Sequence, residues 1–416
     1  MTPTETYDLI VVGGGPAGMI CAGRAAERGA SVMLLDKNDV LGKKLLLTGG
    51  GRCNLTNSVS GVRALVERYG SGSRPLFAAF SRFGNEEAIA FFNAHGLMTS
   101  VEAEGRVFPA SRDSRDVLRL LVDYMRNGKV RVVLNAVVKT VSCHEDAVRV
   151  ISSAGEFRAH AAAIGTGGYA YPETGSTGDG FAWLAKIGHK IIPPDVSLVP
   201  VRVKETWIGG LAGLSFAVAK ATVMSGGKKL VSRTGKLLFT HFGLSGPLIL
   251  NLSKLVGDAL RRGPVEIGID ALPERNLQEL DAEFAAAFRA NQNKKLKNVL
   301  PLLLPPKIAV AVLLRSGIDG EKFANAVPRA ERLALSRCAK DLRFKIDGLL
   351  GFEDAVVSSG GVDTAEVDFR TMRSKIRPNL YLLGDILNFN RPSGGFSLQL
   401  CWTTGYLAGD DVKLYG

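Results

Sequence analysis

Residues 13–18, Gly13-Gly14-Gly15-Pro16-Ala17-Gly18, sit between a short β-branched run and an Ala-rich one. Gly13, Gly15 and Gly18 keep the GxGxxG spacing, with Pro16 and Ala17 opening the helical side. Glycine here permits a tight turn and lets backbone amides approach a pyrophosphate at the helix N-terminus. Asp36, followed by Lys37, lies 18 residues beyond Gly18 at the end of a second apolar run and suits a ribose hydroxyl. That motif alone does not separate FAD from NAD. About 370 residues later the run from Asn379 ends in Gly384-Asp385, the arrangement that brings a carboxylate to the ribityl-phosphate part of a flavin. A nicotinamide enzyme has no use for this second site, so the pair reads as FAD.

Three further glycine clusters join these two. In 393–399, Gly394, Gly395, Phe396 and Ser397 open a helix whose free N–H groups can stabilise negative charge at the flavin N1/O2 edge. In 42–54, Lys44, Gly51, Arg52, Cys53 and Asn54 resemble an anion cradle; no GK[ST] is present, so it is not a Walker loop. Cys53 reads either as a proton donor beside the flavin or as a buried structural thiol. Thr166, Gly167 and Gly168 follow a strand, Val137 belongs to the strand-like stretch 129–141, and both join the cofactor set. Asp179 reads as a helix cap. His241 either faces the flavin or is a surface histidine; Arg391 either contacts a substrate anion or is merely solvated. The catalytic candidates are thus Cys53, His241 and Arg391.

The elements that must position these groups follow from periodicity. Residues 7–12, 17–28 and 31–35 form a strand, a helix ended by Gly29, and a second strand, a βαβ unit. Helical patterns over 85–95 and 113–125 precede strands at 129–141, 148–151 and 158–164. Pro193-Pro194 marks a boundary, after which short runs (198–203, 216–224, 229–231, 236–239, 265–269) suit a small antiparallel barrel or sandwich. Helices follow at 277–290, 296–304, 307–315 and 330–342, then strands at 355–362 and 379–383 and a last helix from about Gly395. The fold class expected is α/β: a discontinuous Rossmann-like FAD-binding domain (1–192 and 355–416), an inserted β-barrel (193–273 and 343–354) and a basic helical subdomain (274–342).

Composition excludes several classes. Hydrophobic and charged fractions of 46% and 22% are those of a folded chain, and 48 glycines among 416 residues exceed the usual ~7%. Five scattered cysteines without CxxC argue against a disulfide framework, a zinc site and a dithiol flavoenzyme, and five unclustered histidines against any metal. No apolar run suits a membrane span or a signal core, so no membrane partner is expected and the cytoplasm is the default. The net charge is +12, and residues 289–345 hold 13 Lys/Arg against 4 Asp/Glu, a local +9. Such a field favours polyanions, nucleic acid first. Only Phe323 and Phe344 interleave it, so contacts would be to phosphate more than to bases. Nothing in the sequence sets an oligomeric state.

In order along nearly the whole chain, TGGGRCNLTN (48–57), GTGGYAYPETGSTGDG (165–180), THFGLSGP (240–247), SSGGV (358–362) and the GD…SGGFSLQ tail resemble the YhiN/BaiN-like bacterial flavoproteins, also described as NAD(P)/FAD-dependent or aminoacetone-oxidase-family enzymes. The resemblance implies a discontinuous FAD domain with a barrel and a helical insertion. It implies no separate nicotinamide domain, so NADH or NADPH would dock transiently at the flavin. Departures lie at the C-terminal motif: Gly384-Asp385 stands for Gly-Glu, Asn388 for a carboxylate, and Ser393–Ser397 for a TGGYN run.

The resemblance links such chains to reduction of activated C=C bonds in steroid-like acids, to amine oxidation, and to reduction of a uracil ring in large-subunit ribosomal RNA. The basic segment 289–345 favours rRNA, because a small substrate does not require it. The expected activity is therefore FAD-dependent uridine reduction in rRNA. The alternatives are a small-molecule ene-reductase or amine oxidase, and a flavin-containing RNA-binding protein without turnover.

Overall fold

The computed structural model describes residues 6–70, 72–355 and 357–415. They form two compact units, one running to Val196 and resuming at Phe352, the other spanning Ser197–Gly351.

The first unit is a Rossmann-type layer. Strand Thr6–Val12 is buried at every position after its first, as a strand covered on both faces must be. It pairs in parallel with Val32–Leu35 on one side and Gly155–Ile164 on the other; Arg131–Val133 and Leu380–Leu382 extend the parallel set outward. Hairpin Val138–Cys143/Val148–Ser152 and the short strands Val367–Asp368 and Arg373–Ser374 complete a nine-stranded sheet. Helix Pro16–Glu27 starts with proline in its first turn, where no N–H is needed. It packs against the last helix, Phe396–Asp411, backbone to backbone: a Cβ on Gly405 would lie 2.3 Å from the Ala17 carbonyl oxygen.

The second unit is a closed six-stranded barrel, in the order Val201–Val203, Gly243–Ser245, Lys228–Phe239, Ser215–Ser225, Val265–Asp270, Leu342–Leu349. Its inward residues alternate, as in Leu342, Phe344 and Ile346. Helix Leu277–Ala290 begins with a reciprocal cap, Asn276 accepting from the Glu279 N–H (2.9 Å) and Glu279 accepting from the Asn276 N–H (2.8 Å). It buries Leu280, Phe284 and Phe288, one residue per turn. These helical side chains and the barrel residues Phe239, Ile267 and Phe344 belong to one apolar cluster.

Three local expectations differ. Residues 229–231 and 236–239 belong to one continuous strand, Lys228–Phe239. The Pro193-Pro194 pair lies inside strand Ile191–Ser197 and not in a break between elements, although the first unit does give way to the second at the end of that strand, which pairs with Val357–Val362 in a two-stranded sheet. A strand in so small a sheet has an unpaired edge that tolerates proline. Helix Pro247–Leu260 was unassigned, although Leu248, Leu252, Val256 and Ala259 are spaced at the helical period and buried.

Candidate cofactor cleft and active site

Four parallel strands end at one cleft. Val12 leads into Gly13, Leu35 into Asp36, Ile164 into Gly165 and Leu382 into Leu383, and all four following residues line it. Ligands of open α/β sheets bind outside these carboxyl ends. Gly13 has φ +108°, and a Cβ on it would lie 2.5 Å from the Gly165 carbonyl oxygen; one on Gly18 would lie 1.9 Å from that of Gly13. The first glycine therefore lets two strand ends meet, and Gly18 lets the helix sit on the turn. Nothing lies within 4 Å of a Cβ built on Gly15, which borders the open cleft with Pro16 and Ala17.

Asp36 holds the turn from the side. Its carboxylate accepts from the Gly14 N–H (2.5 Å) and the Asn38 N–H (2.7 Å) while lining the cleft. Lys37 pairs with Asp179 at 2.7 Å. Asp179 has this partner in place of the capping role expected for it, since Gly178 is the N-cap and no side chain caps that helix.

Asp385 lies between two cations. Lys44 Nζ stands 3.4 Å from one carboxylate oxygen and Arg391 Nη1 3.1 Å from the other. Burial pushes the Asp385 carboxyl up, but Arg391 and Lys44 outweigh it and hold it below the usual carboxylate value. Arg391 is neither a solvated loop residue nor open to a substrate anion: its side chain is fully buried and Nη2 donates to the Ser358 carbonyl (2.6 Å). The Nη1–Asp385 contact is close but misaligned for a hydrogen bond, so Asp385 Oδ1 and Arg391 Nη1 and Nε have no hydrogen-bond partner, nor does Thr166 Oγ1. An unmet buried polar group costs about 1–3 kcal/mol. Thr166 and Asp385 both line the cleft, so its wall suits a polar ligand that completes their bonds. Glycine backbone at the helix start, a carboxylate at the second strand end and these unmet groups together fit FAD.

The loop 48–57 and the turn 393–397 are one structure. A Cβ on Gly395 would meet the Thr56 carbonyl oxygen at 2.3 Å, and Asn57 Nδ2 donates to the Gly394 carbonyl at 3.3 Å. The Asn54 amide accepts from the Gly395 N–H (3.0 Å) and donates to the Thr56 and Val107 carbonyls. From this assembly Lys44, Thr48 and Ser397 reach the cleft lining, along with Gly167 across it.

Other candidates are not brought there. Cys53 is fully buried, held at φ +58°, and burial pushes its thiol up to about 12. It belongs to the apolar cluster of its unit, which fits the structural-thiol alternative. Arg52 turns to Glu102 (3.3 Å) and lies over the Phe108 ring (4.3 Å), while Gly51 is an exposed left-handed turn residue. Val137 is 46% exposed and points away between Ala136 and Val138, both of which line the cleft. Gly18, Asn54, Gly168, Gly384, Gly394, Gly395 and Phe396 support the walls from behind; Gly384, for example, donates to Thr404 Oγ1 (2.9 Å). His241 belongs to the second unit, where it is exposed and edge-on to Phe242 (4.9 Å).

Asn38, Thr174, Ser176, Trp183 and Cys401 line the cleft without having been singled out. For Cys401 the signal was available: a helix from Gly395 puts Ser397 and Cys401 one turn apart on one face.

A family model described as the HI0933-like protein Rossmann domain matches residues 7–411. The chain belongs to the HI0933-like family. It is 31% identical over 404 residues to the 3-dehydro-bile acid delta(4,6)-reductase of Clostridium scindens, covering 96% of this chain and 97% of that one. It is 29% identical over 411 residues to the ribosomal RNA dihydrouridine synthase of Escherichia coli, covering 98% of each. Among solved structures it is similar to the 3-ketosteroid delta1-dehydrogenase of Sterolibacterium denitrificans, with a TM-score of 0.56 at 14% identity over 98% of this chain and 99% of that one. The HI0933-like chain is thus an FAD-dependent oxidoreductase. Among the described residues no group of three or more His, Cys, Asp or Glu could hold a metal ion, and no helix is long and apolar enough to cross a membrane.

Proposed function

We propose that this chain is an FAD-dependent reductase of an activated C=C bond, and that its substrate is uridine in large-subunit ribosomal RNA, converted to dihydrouridine in the cytoplasm. Such a reduction adds one hydride and one proton across the bond. FAD when bound supplies the hydride, with NADH or NADPH as the transient donor. In this reading Gly13, Gly15, Pro16, Ala17 and Asp36 hold the dinucleotide end, Lys44, Thr166, Gly167, Asp385 and Ser397 the flavin end, and buried Arg391 positions Asp385. Cys53, buried in the core and outside the cleft lining, is given no proton-donor role in this reading. The working parts are an FAD domain (1–192 and 355–416), a barrel (193–273 and 343–354) and an RNA-binding helical segment (274–342).

The observation that carries the RNA reading is the charge left over in residues 289–345. Of the 13 basic side chains there, Lys295, Lys297, Lys322, Arg332, Lys340 and Arg343 are held in ion pairs. The side chains of Arg289, Lys294, Arg315, Arg329, Arg337 and Lys345 form no ion pair among the described residues. Unneutralised surface cations are the electrostatic footprint of a phosphate backbone. A full-length relative named for rRNA dihydrouridine formation supports the same reading. Similarity to a bile acid reductase, at 31% identity against 29%, supports a second one, a small-molecule ene-reductase.

The deciding measurement is dihydrouridine in large-subunit rRNA by mass spectrometry, in cells with and without this gene. The expected result is its loss on deletion and its return with the intact gene but not with a Gly13→Val variant that cannot bind flavin. Unchanged dihydrouridine would overturn the rRNA reading and turn the assay to conjugated acids.

A further inference from the structure

The second unit has a pocket of its own. Leu277, Arg315, Arg337, Cys338, Lys340, Asp341, Leu342 and Arg343 line it, at the ends of helices Pro306–Ser316 and Arg329–Lys340 and the start of strand Leu342–Leu349. Four of its eight residues are basic, but their charges are not equally available. Lys340 is bound to Asp270 at 2.6 Å and also donates to the Leu272 carbonyl (2.7 Å). Arg343 pairs with Asp341 at 2.7 Å. Those two pairs cancel. Arg315 and Arg337 are exposed and have no acidic partner among the described residues.

Each of these two arginines lies in the last turn of its helix, where the helix C-terminus carries about half a negative charge. Two full charges exceed two halves, so the pocket stays positive. No aromatic side chain lines the pocket, so it offers no aromatic platform for a base. A pair of planar guanidinium forks suits a tetrahedral anion with several acceptor oxygens.

We infer that the pocket formed by Arg315, Arg337, Arg343 and Leu277 binds a phosphodiester group of the RNA strand. It is a sequence-independent grip, separate from the residues that line the cofactor cleft. This rests on the RNA reading above and assigns it to two side chains.

The test compares three flavin-loaded proteins for equilibrium binding of a short single-stranded RNA over a series of salt concentrations. They are the wild type, Arg315→Gln/Arg337→Gln, and Lys295→Gln/Lys297→Gln. The last removes the same two charges, but from cations already sharing Glu321. The pocket variant should bind roughly tenfold more weakly at low salt, with a log–log salt slope shallower by about 0.7–1. The Lys295/Lys297 variant should lose clearly less. Because both arginines are exposed and unpaired, flavin content and melting temperature should not move. Arg315→Lys/Arg337→Lys should recover most of the slope.

An unchanged slope in the pocket variant, or an equal loss in the Lys295/Lys297 variant, would overturn the pocket while leaving RNA binding in place. No salt-dependent binding by the wild type would overturn both. A shallower slope in a protein whose deletion leaves rRNA dihydrouridine unchanged would support the pocket and sink only the enzymatic reading.

Discussion

Two carboxylates in this chain each face two cations, one in each unit. Asp385 lies between Lys44 and Arg391, with the arginine side chain fully buried. Glu321 lies between Lys295 (2.6 Å) and Lys297 (2.5 Å), with all three side chains about half exposed. Their local charge is the same, and both carboxyls are held below the ordinary value, Glu321 at about 2. What differs is water. At Asp385 the cations must offset the cost of burial, and removing one leaves a mostly buried charge that solvent screens little. At Glu321 solvent and salt screen the pair, so the bonds change which cations are free more than they stabilise the fold. In the first unit charge is thus part of the architecture; in the second it is a surface supply, of which only the unpaired share is available to a ligand.

The sharpest way to break this contrast is Arg391→Met, which keeps volume and removes the cation. Unfolding free energy should fall by about 3–5 kcal/mol, the range for stranding one member of a buried pair. Flavin retention should fall with it, because Asp385 lines the cleft. The pH dependence carries a sign. A carboxyl whose folded value is depressed contributes fully above its unfolded value, near 3.9, and loses that contribution as pH falls through the lower folded value. Denaturant midpoints from pH 7 down to pH 3 should therefore decline less steeply at the acid end in the variant than in the wild type. A loss below about 1 kcal/mol at pH 7 would make Asp385 equivalent to a surface pair.

A smaller effect should follow Gly405→Ala. Its Cβ would meet the Ala17 carbonyl oxygen at 2.3 Å, so helix Pro16–Glu27 must move away from the last helix. Overpacking of this kind costs about 1–3 kcal/mol. Since Pro16 and Ala17 also border the cleft, the displaced helix should weaken flavin binding, measured as flavin released on dilution. Full stability with unaltered flavin affinity would mean the two helices have slack.

These cases show why the two units were not equally legible in sequence. Backbone constraint leaves a residue-type record: Gly13 and Gly18 are glycine because a Cβ has no room, and their spacing marked the strand–turn–helix at once. The strand-end positions of Asp36 and Asp385 were readable for the same reason. Side-chain direction leaves no such record. Val137 was placed in the cofactor set, yet alternation along the chain turns it outward while its two neighbours line the cleft. Arg391 read as a loop cation and is a buried clamp, because the fold of 384–391 brings it back onto Asp385. Cys53, amid glycines, reads either as a proton donor or as a buried thiol, and only its left-handed turn, which carries the thiol into the core, separates the two. In the second unit the +9 of 289–345 counted charges without their pairing, and two of the acidic partners, Asp270 and Asp281, lie outside that segment.

The smallest effect on the fold, and the one that isolates the surface half of the comparison, should come from Glu321→Gln. Its side chain is about half exposed, so the melting temperature should not change measurably. Lys295 and Lys297, however, lose the one acidic group that both contact, and the free positive charge of 289–345 rises by the charge removed. If RNA phosphates are the ligand of that segment, affinity for a short single-stranded RNA should increase and the salt slope should steepen. Between pH 4.5 and about 2 the wild type should approach the variant as Glu321 takes up its proton; at neutral pH the two should differ most. A melting temperature that falls on this substitution would show that the exposed cluster stabilises the fold after all. RNA affinity that stays flat while the fold is intact would show that Lys295 and Lys297 lie off the RNA path, leaving the unpaired arginines to carry it.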